Sequence, residues 1–303
     1  MAGGLKTGVI GAGVFAGYHA GKITASERAD FVGVYDLNAQ RAGALAERFG
    51  GATFTNLADI IEASQAVIIA SPATSHYELT KAALERGRHV LVEKPLSLRA
   101  DHADELAQIA KARGLVLQVG HQERLVCDAA GLSQIAARAH RIEILRASPP
   151  PVGGRAMDVS VIWDLMIHDI DLVHHLLGAE VKDVSCSGTT KLGTELDQAR
   201  AMFSIGETQI VLDASRMAER VERHMRLVYP EGEIFLDFVA RTVKNMTRFT
   251  INEGFAEAVP DPLGTADEIF FKACLGQGAP LVTGVEAARA VATAEALSKL
   301  AGA

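Results

Sequence analysis

The first 120 residues alternate short, largely apolar runs with amphipathic stretches, and that rhythm leaves few folds open. The runs fall at 6–10, 31–35, 66–70, 89–93 and 115–119. They are continuous, not alternating, which is the pattern of strands covered on both faces. Between them, 76–86 brings Leu79, Ala83 and Leu84 together and stops at Gly87, while 102–113 brings Leu106, Ile109 and Ala110 together and stops at Gly114. Glycine just past a helix end accepts the left-handed cap conformation without strain. Strands and helices in this order predict a parallel sheet with helices on both faces.

After about residue 120 the rhythm changes. Runs at 141–147, 181–190, 199–205, 208–215, 225–229 and 233–238 are strand-like and partly alternating, with Glu231-Gly232 as a hairpin turn between the last two. They predict a mainly antiparallel sheet. Helical patterns at 161–177, about 266–274 and 284–300 complete the chain. Pro149-Pro150-Pro151 and Gly153-Gly154 read as a loop, because strand pattern resumes beyond them. The expected class is therefore α/β: a doubly wound parallel sheet over 1–120, and an α/β domain with an open, mainly antiparallel sheet over 121–303. A length of 303 residues suits two domains of roughly 150 each.

Charge and cysteine usage narrow the partners. A net charge of −7 lacks the basic footprint of a nucleic-acid surface. No apolar run reaches the roughly 18 residues of a membrane span, and the N-terminus shows no signal-peptide pattern. Cys127, Cys186 and Cys274 are scattered and match neither a disulfide framework nor zinc spacing, so a reducing, cytoplasmic setting is expected.

The first strand runs into Gly11-Ala12-Gly13-Val14-Phe15-Ala16-Gly17 and then a helical stretch. This is the G-x-G-x-x-A form of the dinucleotide fingerprint. Gly11 permits the tight turn, Gly13 lets the backbone approach a pyrophosphate, and Val14 and Phe15 open a helix whose N–H groups face that anion. Asp36 ends the next strand, about 20 residues on, where an acid would take the ribose hydroxyls. Such an acid repels a 2′-phosphate and favours NAD over NADP, although Arg41 is a possible phosphate partner. The bland alternative is a glycine-rich turn with no ligand.

Two constellations carry chemistry. Glu93-Lys94-Pro95 closes a parallel strand, at the end that opens onto the ligand crevice in this architecture; a strand-end salt bridge at Glu93 is the competing reading. In 161–177, an almost wholly apolar helix, Asp164, His168, Asp171 and His175 recur at spacings that form one polar stripe. Burying that stripe without partners costs several kcal/mol, about the cost of an unsatisfied polar group each. A cleft would relieve it, and so would internal pairing. A metal site is disfavoured, because no other ligand motif accompanies the stripe.

Together, Gly11-x-Gly13 with His19, Glu93-Lys94-Pro95, Val119-Gly120-His121 and Asp164-x-x-x-His168-Asp169-Ile170-Asp171 resemble the Gfo/Idh/MocA oxidoreductases, in order and over nearly the whole chain. The stretch from Arg155 and Asp158 to Asp171 is similar to the family's NAD-dependent UDP-N-acetylglucosamine 3-dehydrogenases. Ala16 stands where the third glycine is usual, and Leu125 and Cys127 replace a Phe and a Pro of those relatives. The resemblance implies an N-terminal Rossmann domain and a C-terminal domain that binds substrate and assembles homodimers or homotetramers through its sheet. It implies hydride transfer between NAD(P) and a hydroxyl-bearing carbon of a sugar, polyol or nucleotide sugar. Lys94 is then the catalytic lysine touching nicotinamide and substrate, His168 the acid/base and Asp164 its substrate-orienting neighbour. Ser71, Pro72, His76 and Glu93 fall near the cofactor. Two other activities share this fold: glycoside hydrolysis through transient oxidation, and non-catalytic NAD-binding regulation.

Overall fold

The computed structural model describes residues 3–150, 157–178 and 180–302. Pro151, Gly153, Gly154 and Arg155 of the expected loop and motif lie outside the described residues. The chain divides into two compact units: Met1–Gln122 with Asp261–Ala288, and Glu123–Pro260 with Arg289–Ala303.

The first unit is built on β1 (Leu5–Ile10), α1 (Val14–Ala25), β2 (Ala29–Tyr35), α2 (Ala39–Phe49), β3 (Ala52–Phe54), α3 (Leu57–Ala63), β4 (Ala66–Ile69), α4 (His76–Glu85), β5 (His89–Val92), α5 (Ala100–Arg113) and β6 (Leu117–Val119). All strands are parallel, in the order β3-β2-β1-β4-β5-β6. The order reverses beside β1, the switch point at which such sheets bind ligands. Val67, Ile68 and Ile69 in β4 and Val90 and Val92 in β5 are fully buried, as continuous apolar runs require. Gly114 caps α5 at φ 63° in the left-handed region.

The second unit opens with α6 (Glu123–Ala130) and β7 (Arg141–Ala147). A π-helical stretch, Ile162–Met166, runs directly into α7 (Ile167–Leu177). Then come β8 (Val181–Thr189), β9 (Gln198–Ile205), β10 (Thr208–Ser215), β11 (Glu222–Tyr229), β12 (Gly232–Asp237), β13 (Thr242–Asn245) and the short α8 (Phe255–Ala258). The sheet order is β13-β12-β11-β7-β10-β9-β8, and only β7 and β10 pair in parallel. Register sets Ile142 opposite Leu227 and Ile144 opposite Met225, all buried on one face. The other face shows ion pairs such as Arg226–Glu143 at 3.1 Å and Arg200–Asp213 at 3.0 Å. A sheet covered on one side only must alternate in this way.

Two helices follow: α9 (Pro262–Cys274) and α10 (Gly284–Leu300). The sequence reading places 261–288 with the second domain, whereas this segment packs with the first unit. Phe270 and Phe271 of α9 are fully buried in one cluster with Leu5, Val9, Ile23, Ile68 and Leu91. Burial of each phenyl ring is worth about 1.5–3 kcal/mol, and both rings find that cover against β1, α1 and β4.

Candidate active site

The cofactor half rises from the carboxyl ends of the parallel strands. Gly11 follows β1 with φ +108°, and a Cβ there would stand 2.5 Å from the Ala70 carbonyl oxygen. Only glycine fits so close an approach. A Cβ on Gly13, by contrast, would meet nothing within 4 Å, so the backbone there is open to a ligand's approach. Gly13 caps α1 without a side-chain hydrogen bond, and no acid stands in the first turn of the helix. The positive end of its dipole therefore favours an anion.

Asp36 is fixed to this turn. Its Oδ2 accepts the Ala12 N–H at 2.7 Å, and its Oδ1 accepts from Asn38 N at 2.8 Å and Arg41 Nη2 at 3.1 Å. A carboxylate has about four acceptor positions, so room remains on Oδ2 for a ribose hydroxyl. Gly11, Gly13, the first turn with Val14 and Phe15, and Asp36 therefore form a cradle whose chemistry fits NAD.

The loop after β4 is braced to the corner after β5. His76, fully buried, sets Nδ1 2.6 Å from Pro95 O and Nε2 3.0 Å from Ser71 O. Burial lowers its pKa against the pull of those two carbonyls. Ser71 Oγ lies 2.7 Å from Ser75 Oγ, and Pro72 O accepts from the Ser75 hydroxyl at 2.7 Å. His76 thus ties Ser71 and Pro72 to Glu93-Lys94-Pro95.

Glu93 has its own buried partners. His19 of α1 places Nε2 3.2 Å from Glu93 Oε1 and Nδ1 2.8 Å from Asp267 Oδ2 of α9. Gln122 Nε2 donates to Glu93 Oε1 at 3.3 Å, and Gly120 has no room for a side chain beside that carboxylate. Two ring nitrogens facing two carboxylates make His19 an imidazolium. Burial opposes that charge, but Asp267 and Glu93 outweigh it and raise the pKa to about 10. The strand-end salt bridge at Glu93 exists, and it holds the residue immediately before half-buried Lys94.

In the second unit, Asp164 lies within the π-helical stretch and His168 in the first turn of α7, both half-buried. Single π turns recur at functional sites because they re-aim side chains. The stripe expected along this helix does not act as one group. Asp171 is fully buried and accepts Arg124 Nη2 at 2.6 Å and Nε at 2.8 Å. His175 Nε2 lies 2.7 Å from Asp128 Oδ1. His168 Nδ1 lies 3.0 Å from Glu123 Oε2. The partners come from α6, so the stripe is neither paired within itself nor open along its length.

Glu123 also accepts Arg146 Nη1 at 3.0 Å, and Arg146 gives Nη2 to buried Asp169 at 2.7 Å. Burial alone would raise the Glu123 carboxyl; the His168 and Arg146 charges overcome this and hold it well below its ordinary range. The sequence reading assigns no role to Glu123, Arg146, Asp169 or Asp267. Glu123 carried one usable signal, its place just beyond the carboxyl end of β6. Asp267 carried none, since it meets His19 across 248 residues of chain. Among the described residues, no group of three or more His, Cys, Asp or Glu side chains is placed to hold a metal ion.

Residues 5–121 match the family model described as oxidoreductase family, NAD-binding Rossmann fold, and residues 138–235 match the Gfo/Idh/MocA C-terminal domain. The chain is 34% identical over 266 residues to a UDP-N-acetylglucosamine 3-dehydrogenase of Acidithiobacillus ferrooxidans, covering 87% of this chain and 82% of that protein. A solved structure of that enzyme, 30% identical, superposes with a TM-score of 0.86 over 98% of this chain and 97% of the other. A myo-inositol 2-dehydrogenase of Thermotoga maritima is 24% identical over 80% of this chain and 78% of its own length. With matched models in both halves and a relative this similar along most of its length, the chain belongs to the Gfo/Idh/MocA oxidoreductase family.

Proposed function

We propose that the protein is an NAD-dependent dehydrogenase that oxidises a secondary hydroxyl of a sugar, polyol or nucleotide sugar, with Lys94, His168 and Asp164 at the reacting carbon. The carrying observation is the cradle of Gly11, Gly13 and Asp36 in a chain so similar to a UDP-N-acetylglucosamine 3-dehydrogenase. A nucleotide sugar is accordingly the favoured substrate. NAD, when bound, supplies the hydride acceptor.

The residues of this chain handle the oxygen and its proton. His168 takes the hydroxyl proton, as an imidazole with an unperturbed pKa of about 6.5 can near neutrality. Lys94 donates to the same oxygen and stabilises the negative charge that develops there. Asp164 orients a neighbouring hydroxyl. Glu93, Ser71, Pro72 and His76 shape the cofactor side of the site, with His76 bracing the loop and Glu93 fixing the backbone that presents Lys94.

The reading extends to a cytoplasmic protein that assembles as a homodimer or homotetramer through the open face of its C-terminal sheet. Three free cysteines support the first part. The face that shows Met202 at 49% exposure among ion pairs supports the second. Among the described residues, no helix is long and apolar enough to cross a membrane. The relatives named above are dehydrogenases, and nothing favours glycoside hydrolysis or non-catalytic regulation.

The test is NADH formation from NAD, or NADPH from NADP, with UDP-N-acetylglucosamine, myo-inositol, free aldoses and glycerol-like polyols. Lys94→Met is the control. Turnover with one substrate class, lost in the variant while NAD binding persists, is expected. Tight NAD binding with silence across the whole panel would overturn the reading.

A further inference from the structure

Glu123 is the first residue of α6, and its carboxylate is shared between two groups. Oε1 accepts Arg146 Nη1 at 3.0 Å, and Oε2 lies 3.0 Å from His168 Nδ1. Arg146 is 2% exposed and gives Nε and Nη2 to Asp169 as well, so Asp169 already neutralises it. Glu123 is therefore a second carboxylate on one buried guanidinium, and its other oxygen faces His168. An ionised carboxylate only accepts hydrogen bonds. The proton of a neutral His168 must then sit on Nδ1, and Nε2 is the nitrogen with the lone pair.

We propose that Glu123 is a positioning residue for the dehydrogenase reaction: it holds His168 in the Nδ1–H tautomer, turns Nε2 to the substrate and stabilises the imidazolium formed in the step. This rests on the reading of His168 as the base. In that step the substrate C–H bond breaks and its electron pair leaves with the hydrogen as hydride to NAD. The O–H proton goes to His168 Nε2, and the carbon–oxygen double bond forms. The imidazolium is then paired with Glu123 until it returns its proton to water. The fixed tautomer is the role the acid plays beside histidine in serine-protease triads, where an acid-to-amide change costs about 10⁴ in kcat.

The charged and titratable groups around Glu123 come from several elements. Arg146 on β7 and Arg223 on β11 are cationic, and Asp164 in the π stretch acts on Arg223; Asp169 on α7 is acidic; Cys127 on α6 is kept a neutral thiol by burial. Arg146 is bonded to the carboxylate, and Arg223 adds positive charge across the β7–β11 ladder, where it stands opposite Arg146. Glu123 is thus held as the anion at neutral pH.

The experiment reads the histidine directly. Imidazole 15N spectra of the full-length protein, with the His168 signal identified by its loss in His168→Asn, report tautomer and titration without substrate. Wild type should show the Nδ1–H form. Glu123→Gln, which keeps size and an acceptor for Arg146, should lower the His168 pKa by about one unit and mix the tautomers. Glu123→Asp should restore part of both. An Nε2–H signal in wild type, or an unmoved titration in Glu123→Gln, would overturn the proposal. Oxidation of UDP-N-acetylglucosamine by NAD separates the two readings. If His168→Asn keeps turnover, the base assignment fails, whatever the spectra show. If His168→Asn is inactive while Glu123→Gln keeps the wild-type kcat and pH profile, the base stands and the role of Glu123 falls.

Discussion

Arg41 rests its guanidinium on Asp36, with Nη2 3.1 Å from Oδ1; its side chain is 60% exposed and that of Asp36 only 11%. The arginine that could accept a 2′-phosphate is thereby occupied by the acid that excludes one. NAD should bind more tightly than NADP. Asp36→Ala removes a charge-assisted acceptor worth about 1.5–3 kcal/mol, so NADH affinity should fall roughly 10- to 100-fold. The freed Arg41 should narrow the gap to NADPH. Fluorescence titration of both reduced cofactors checks this, and an unchanged preference would separate Asp36 from cofactor choice.

The two glycines of the turn should fail in different ways. Gly11→Ala puts a Cβ 2.5 Å from a carbonyl at φ +108°, and something in the backbone must move. Strain of this kind costs about 1–3 kcal/mol, read as a lower Tm. Gly13→Ala has an ordinary φ of −83° and open space around the new methyl. Its Tm should stay near wild type while NAD affinity falls, because the methyl occupies the path of the pyrophosphate. Calorimetric binding beside thermal unfolding separates the cases.

The cofactor half was legible because its signals are local. A buried parallel strand is a continuous apolar run, and the Gly11–Gly13 turn and Asp36 sit at fixed distances from such runs. β3 and β13 escaped because both are short sheet edges with little burial: Ala52 and Thr53 are exposed, as are Thr242 and Lys244. α6 escaped because its eight residues are too few for a helical period and begin with Glu123-Arg124. The polar helix stripe was visible as spacing, but spacing does not say what each member meets. Asp171 found Arg124 and His168 found Glu123, and such pairings are decided by tertiary packing alone. For the same reason, the place of α9 in the first unit depends on Phe270, Phe271 and Asp267 meeting residues near the N-terminus.

His19 makes stability depend on alkaline pH. Its folded pKa of about 10 lies above the ordinary value of 6.5. Its contribution is therefore complete below about 6.5 and is lost as pH rises through about 10. Urea unfolding from about pH 7 to about pH 9.5 should show falling stability in wild type and a flatter dependence in His19→Asn. That variant leaves Asp267 and Glu93 without their shared cation and should lose about 3–5 kcal/mol at neutral pH, the cost of breaking a buried pair. A slope equal in the two proteins would mean that His19 is not the titrating group.

Asp164 and Asp171 share a sequence pattern but should behave as opposites. Asp171 and Arg124 are each about 1–2% exposed and bonded at two points. Asp171→Asn leaves a buried guanidinium poorly matched and should cost about 3–5 kcal/mol of stability. The fraction that folds should keep kcat and KM near wild type, because both partners are fully buried and the carboxylate is taken up by the guanidinium. Replacing Arg124 and Asp171 together by Met and Leu should recover much of the stability, since an apolar pair of similar volume is often neutral against a buried ion pair. Asp164 is half-buried in the π stretch, so Asp164→Asn should hold its Tm and lose turnover. Thermal unfolding measured beside steady-state kinetics on these variants distinguishes the fold's acid from the reaction's. Loss of kcat in well-folded Asp171→Asn would return that residue to the site.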